Sequence, residues 1–449
     1  MLKIEFCAAA VFAALVATAA RGGEEKSVLP RSDNAAILYL EGAATRAVPQ
    51  SAGELEALKF MDEEFGKLPP AALSDRPDAV ALLSRDLDSD GAMSLLHDGA
   101  QRGPCAFDLN WDAGPDMEMP HLGLLRLFAF RCVAAAKCAE FRGDPVRAAE
   151  ICGDLARMGA HVGREPVLMS GLVAALIQNV AASEAEGLLS RSPGRESVEK
   201  LLRALQSLPE PLRMDSYCRV DAEFWGEWVI RKAQAPEKEL MDFIRDYLHG
   251  EGPPSKMATH ELEGLKEPEI RARILEWARG YQQHMRRLAR NVAGPYHEAA
   301  PAITDEERGL NNTILEMTSR ELQGDRDLGN PLLQIFVPAL TVSALPSLAN
   351  AEARIGMMRV LCAAMLLKEE TGSYPANLEE LRRYFPDGFP KDPFTGKDYT
   401  LSMSGGLPAV SCGAPEEVRK KSPNDFSFDL ARQRRLDAEA LKNFRGHAR

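Results

Sequence analysis

Apolar positions along the chain return at helical spacing far more often than at strand spacing. Within 121–142, Leu124, Leu125, Phe128, Cys132, Ala135 and Ala139 recur near every 3.6 residues, which predicts an amphipathic helix. Gly143 stops it. Asp144-Pro145 opens the next helix, with Asp144 as N-cap and Pro145 at the first helical position. This second helix is expected to reach Gly163, a third runs from Glu165-Pro166 to Leu189, and Ser192-Pro193 opens a fourth. Further helical stretches are predicted at 211–232, 237–249, 268–293 and 304–322, with breaks at 250–254 and 291–301. Upstream, Leu55, Leu58, Phe60, Met61 and Phe65 form a stripe that Gly66 and Pro69-Pro70 end, while 20–50 reads as an irregular entry around the short apolar run 35–40.

The pattern changes after 348. Leu348, Ile355, Met358, Cys362 and Met365 line a helix up to Glu370, with Gly372 placed to cap it and Pro375 beyond. Asn377 and Glu380 make an N-cap and N3 pair for a short helix carrying Leu378, Leu381 and Phe385. Tyr399, Leu401 and Met403 then alternate as a strand does, Ser404-Gly405-Gly406 turns, 408–412 returns, and Phe426, Phe428 and Leu430 alternate again. The predicted class is mainly α: an irregular multi-helix array or bundle with a small C-terminal α+β cap holding a short antiparallel sheet. Ala139, Gly143-Asp144 and Ala148-Ala149 resemble one tetratricopeptide-type hairpin, but no period repeats it, so a solenoid is not expected.

The first twenty residues change the picture of location. Lys3 precedes an uncharged run over 6–20, and Ala17-Thr18-Ala19 presents the small side chains of a signal peptidase site. The expected layout is therefore a signal peptide at 1–19, the entry segment at 20–50, a helical domain at 51–330, a helix-plus-sheet cap at 331–430 and a basic tail at 431–449, read as a solvated terminal helix or frayed end rather than a phosphate-binding arm. Export to the periplasm or cell envelope of a bacterium follows as an expectation. The apolar stretches 167–182 and 332–349 are interrupted by Ser170, Gln178 and Asn179 and by Pro338 and Pro346, so no stable membrane span is expected after signal removal.

A formal net charge of −12 over 449 residues argues against a nucleic-acid groove, and no nucleic acid is expected as partner. Removal of Cys7 with the signal leaves Cys105, Cys132, Cys138, Cys152, Cys218, Cys362 and Cys412, an odd number with no CxxC pair. That rules out a zinc-ribbon or thioredoxin-type motif.

Two stretches carry candidate chemistry. Asp86, Asp88 and Asp90 with Gly91 repeat the first half of an EF-hand calcium loop, and Met93 fits its eighth position; His97 stands where the bidentate Glu belongs. Asp108, Asp112, Asp116, Glu118 and His121 gather around Trp111 and Gly114-Pro115, a set able to bind metal or to act as acid and base if the side chains converge. The competing reading is a loop whose polar groups cap helices and which Trp111 anchors to the core. Phe224, Trp225 and Trp228 form an aromatic run on a predicted helix, read as core packing. No GxSxG, P-loop or dinucleotide fingerprint occurs, so no catalytic residue and no cofactor is assigned.

One segment resembles a known family. Gly372, Tyr374-Pro375, Leu378, Leu381, Pro390, Asp392-Pro393-Phe394, Gly396 and Tyr399 are similar to the head of a type II secretion major pseudopilin over about 370–404. The Met119-Pro120-His121 and Gly143-Asp144 regions with this C-terminal pattern resemble uncharacterised exported helical proteins of planctomycete-type bacteria. The resemblance implies location and architecture, not an activity. The physical role expected for Asp392-Pro393 is a turn, with Pro fixing φ and Asp bonding a backbone N–H two residues on. The leading functional expectation is an exported, non-enzymatic scaffold that binds a protein partner. The alternatives are a hydrolase or other enzyme using 108–121, and a calcium-stabilised surface protein using Asp86, Asp88 and Asp90.

Overall fold

The computed structural model describes residues 33–45, 60, 65–88, 91–210, 213–248, 262–301, 340–420 and 426–447. The signal at 1–19, the helix expected at 304–322 and Asp90 lie outside these described residues. The chain is mostly helical with a small three-stranded antiparallel sheet near its C-terminus, as its apolar periodicity requires.

The longer helices among the described residues are α1 (Ala35–Ala44), α2 (Pro77–Leu87), α3 (Ala92–Ala100), α4 (Pro120–Phe141), α5 (Pro145–Val162), α6 (Leu168–Ser190), α7 (Arg195–Gln206), α8 (Met214–Gln234), α9 (Glu267–Asn291), α10 (Leu340–Thr371) and α11 (Leu430–His447). The α4–α5 hairpin forms as its local signals dictate. Gly143 takes φ 84°, Asp144 Oδ1 accepts the Arg147 N–H at 2.9 Å, and Pro145 starts α5. Helices α4, α5 and α6 pack on one another, α7 packs on α5, and α8 pairs along its length with α9. Helix α6 is long and apolar enough to cross a membrane, and 67% of that window is buried inside the fold.

Three expectations need correction. The entry segment is not irregular over 35–44. Asn34 caps α1 through the Ala36 N–H and also bonds both backbone groups of Ala106, while Ala35, Ala36, Tyr39 and Gly42 are buried against α3 and α4. Its apolar run is short because only one face and the close-packed Gly42 must be dry. Second, α10 starts eight residues before Leu348 and continues through Pro346; a proline this near a helix start removes one backbone bond without ending the helix. Third, the basic tail is a docked helix: α11 lies against α6, β1 and β2, with Arg434 bonded to the Ser190 carbonyl and Arg445 paired with Asp75.

The cap is continuous with the body. Strands β1 (Thr400–Ser404), β2 (Leu407–Ser411) and β3 (Ser427–Asp429) are ordered β1-β2-β3. Gly405 and Gly406, at φ 53° and 80°, supply the two positive values that a tight two-residue hairpin needs. Met357, Met358, Val360, Leu361, Cys362, Ala363 and Ala364 of α10 are all buried, because α10 meets α6 and α7 on one side and β2 and β3 on the other. One apolar core includes the upstream helices together with Phe394, Tyr399, Val410, Phe426 and Phe428. Asp392 acts as the sequence predicts: Oδ1 accepts the Phe394 N–H at 2.9 Å, and Oδ2 accepts the Thr395 hydroxyl at 2.8 Å and the Gly413 N–H at 2.7 Å. His297 donates its backbone N–H to the Pro393 carbonyl at 3.0 Å, tying the turn to the body.

A second, smaller core lies on the outer face of α4. Phe60, Phe65, Leu73, Leu82 and Leu83 pack there on Ala134 and Cys138, with Leu441 and Phe444 of α11 at its edge. Lys137 is buried beneath it and donates to the carbonyls of Phe65, Gly66 and Leu68 at 3.2, 3.0 and 2.7 Å.

Candidate functional site

The calcium-like stretch is arranged for other work. Asp86, in the last turn of α2, is buried, and its carboxylate receives Arg131 from α4, with Nε at 2.6 Å and a second guanidinium nitrogen on the other oxygen. Arg131 also reaches the carbonyls of Gly42 and Thr45, so the pair joins α1, α2 and α4. Asp88 is exposed, and its carbonyl accepts the Gly91 N–H at 2.9 Å. A Cβ on Gly91 would stand 2.5 Å from the Arg85 carbonyl oxygen, so close backbone approach explains this glycine. His97, at the twelfth loop position, turns away to Asp154 on α5 at 2.9 Å. Among the described residues no group of three His, Cys, Asp or Glu side chains is placed to hold a metal ion.

Among the described side chains of 108–121, those of Asp108, Asp112, Glu118 and His121 do not meet; the Asp116 side chain lies outside the described ones. Asp108 and Glu118 are exposed, and Asp112 forms an exposed pair with Arg231 of α8 at 3.0 Å. Trp111 anchors the loop by an edge contact to Phe224, and Gly114 at φ 63° lies flat on the Trp228 ring, where a Cβ would approach to 2.2 Å. His121 turns inward. It stacks on Phe107 at 4.4 Å and places Nε2 3.1 Å from Glu165 Oε2.

His121 thereby enters a buried polar hub that sequence reasoning missed, built on the loop from α5 to α6. Glu165 Oε2 accepts the Ser170 hydroxyl as well, while Oε1 is buried without a hydrogen-bond partner. Tyr217 of α8 donates its hydroxyl to the Gly163 carbonyl at 2.9 Å, and Gly171 leaves the space its ring fills. Arg164 reaches the Gly103 carbonyl at 3.2 Å. His161 Nδ1 lies 2.8 Å from the Tyr39 hydroxyl of α1. The end of α5 and the loop after it thus fasten α1, the 103–107 segment, α4, α6 and α8.

The geometry limits its chemistry. Glu165 stands between His121 and Ser170, whereas activating a serine requires the imidazole in the middle, within reach of the hydroxyl proton. Burial, then the Arg157 and Arg164 charges, push His161 down to about 4, which keeps it neutral and able to accept from Tyr39. Burial, helped by the Glu165 charge, pushes the Cys105 thiol up to about 12, so it is not a thiolate. His121, Ser170, Tyr217 and His161 each have a bonded partner here, and the sequence signals pointing to this place are His121 and the Glu165-Pro166 helix start.

The surface carries the opposite feature. Leu124, Leu127 and Phe130 are 45%, 53% and 44% exposed, and their spacing of three places them in one row along the first half of α4. The row runs toward the same helix face that the second core covers further on, at Ala134 and Cys138. No family model, curated protein or solved structure matches the chain.

Proposed function

We propose that this is an exported helical scaffold that binds a protein partner in the periplasm or cell envelope and performs no chemistry of its own. The observation that carries the reading is the apolar row of Leu124, Leu127 and Phe130, left open beside a face of α4 that is otherwise covered. Its support from the interior is that His121 and Ser170 are both bonded to Glu165 and that burial keeps the Cys105 thiol protonated. The pseudopilin-like segment belongs to this scaffold as a cap over α10, and the resemblance to exported planctomycete-type proteins is the ground for the location. The test is the native mass of the protein in cell-envelope extracts. Wild type is expected in a complex heavier than the free chain, and Leu127→Ser with Phe130→Ser is expected to run as the free chain. Wild type running free, recovered from cytosol with Met1 intact, overturns both the location and the binding.

A further inference from the structure

Helix α11 is anchored at its start by Leu430 and Ala431, which are buried, and beyond them largely by polar contacts: Leu436 is 45% exposed, and Ala440, Leu441 and Phe444 add partly buried apolar surface at the edge of the second core. The central tie is Arg191, at the end of α6. It grips Glu140 of α4 at 2.5 and 2.8 Å and Asp437 of α11 at 2.6 Å. Glu184 of α6 lies in the same node but is reached only at longer range, 3.8 Å from Arg191 and 3.6 Å from Lys137. Lys137 cannot come closer without giving up the three carbonyls it serves. The groups facing Glu184 are thus Lys137 and Glu140 from α4, Cys152 from α5, Arg191, and Asp437 from α11. Two cations meet three carboxylates.

We propose that α11 is a proton-controlled latch: the node holds it while Glu184 carries a proton, and loss of that proton leaves a surplus negative charge that loosens Asp437 from Arg191. Asp437 is the member that yields, because Glu140, Glu184 and Lys137 belong to the packed body. Burial pushes Glu184 up to about 7, against the pull of Lys137 and Arg191. A carboxyl raised in the docked state stabilises docking fully below its ordinary value, and that contribution fades as pH rises through about 7. Glu186 supplies a second acidic contact, accepting the Asp429 N–H at 3.1 Å, near Arg354 and Arg432.

Hydrogen exchange of the α11 amides in the full chain, corrected for the intrinsic rate at each pH, tests the latch. With Glu184 returning to its ordinary carboxylate value on release, the opening constant of α11 rises by about tenfold between pH 6 and 8. Glu184→Gln is expected to abolish the rise and Glu186→Gln to leave most of it. Asp437→Asn, which removes the yielding carboxylate but leaves Glu184 buried, is expected to shrink the rise without abolishing it. A flat wild-type response, a tenfold rise that survives in Glu184→Gln, or an undiminished one in Asp437→Asn, overturns the proposal.

Discussion

The α5–α6 loop and the outer face of α4 place their groups in opposite ways. At the loop, Tyr39, His121, His161, Glu165 and Ser170 carry hydroxyl, imidazole and carboxylate groups into the interior, where they bond to one another. On α4, Leu124, Leu127 and Phe130 carry apolar side chains out to water. Buried polar groups are stable when paired, and in this hub His121, Ser170 and His161 each have a partner. Exposed apolar groups in a row add nothing to the free protein and gain free energy only when something covers them. Residue types that look reactive in the sequence are therefore the ties of the fold, and residue types that look like core are the ones facing outward.

Removing the centre of the hub is the strongest way to break this contrast. Glu165→Ala leaves His121 and Ser170 buried without their shared acceptor and is expected to destabilise the protein by about 3 kcal/mol in urea unfolding. A near-neutral effect would mean that the hub is not structural. The next effect comes from acid. His161 is held down at about 4, so the unfolded chain binds the extra proton between there and its ordinary value near 6.5. Stability from this group is full above that range and lost as pH falls through it, by about 2 kcal/mol between pH 7.5 and 5. Replacement by Gln should flatten that part of the pH–stability profile, and an unchanged profile would place the acid sensitivity elsewhere. The smallest effect sharpens the other side: Leu127→Ser with Phe130→Ser is expected to change unfolding stability by no more than about 0.5 kcal/mol. A loss of several kcal/mol would make the row part of the core.

The features legible in the sequence are those set by adjacent residues. Gly143-Asp144-Pro145, the Gly405-Gly406 hairpin and the Asp392 turn each need one backbone conformation and one short-range bond, and each forms where expected. The mainly helical class follows for the same reason, since 3.6-residue periodicity is a local property. Helix α1 was missed because its run is short and its burial depends on Phe128 and the 104–106 segment far along the chain. The hub was missed because Tyr39 and His161 lie 122 residues apart, and His121 and Glu165 lie 44 apart. His121 was singled out, but with the wrong companions: proximity in sequence grouped it with Asp112 and Glu118, which the start of α4 turns to the outside. Docking of α11 was hidden in the same way, since Arg434 and Arg445 read as a solvated basic run until Ser190 and Asp75 are brought against them.

If the open row on α4 is the surface that binds the proposed partner, photo-cross-linking in living cells separates it from the rest of the exterior: a reactive side chain at Leu127 is compared with one at the exposed Glu223 of α8. A discrete protein adduct is expected from position 127, removed by Phe130→Ser, with none of that size from position 223. No adduct from 127, or the same adduct from both positions, would rule the row out as the binding surface.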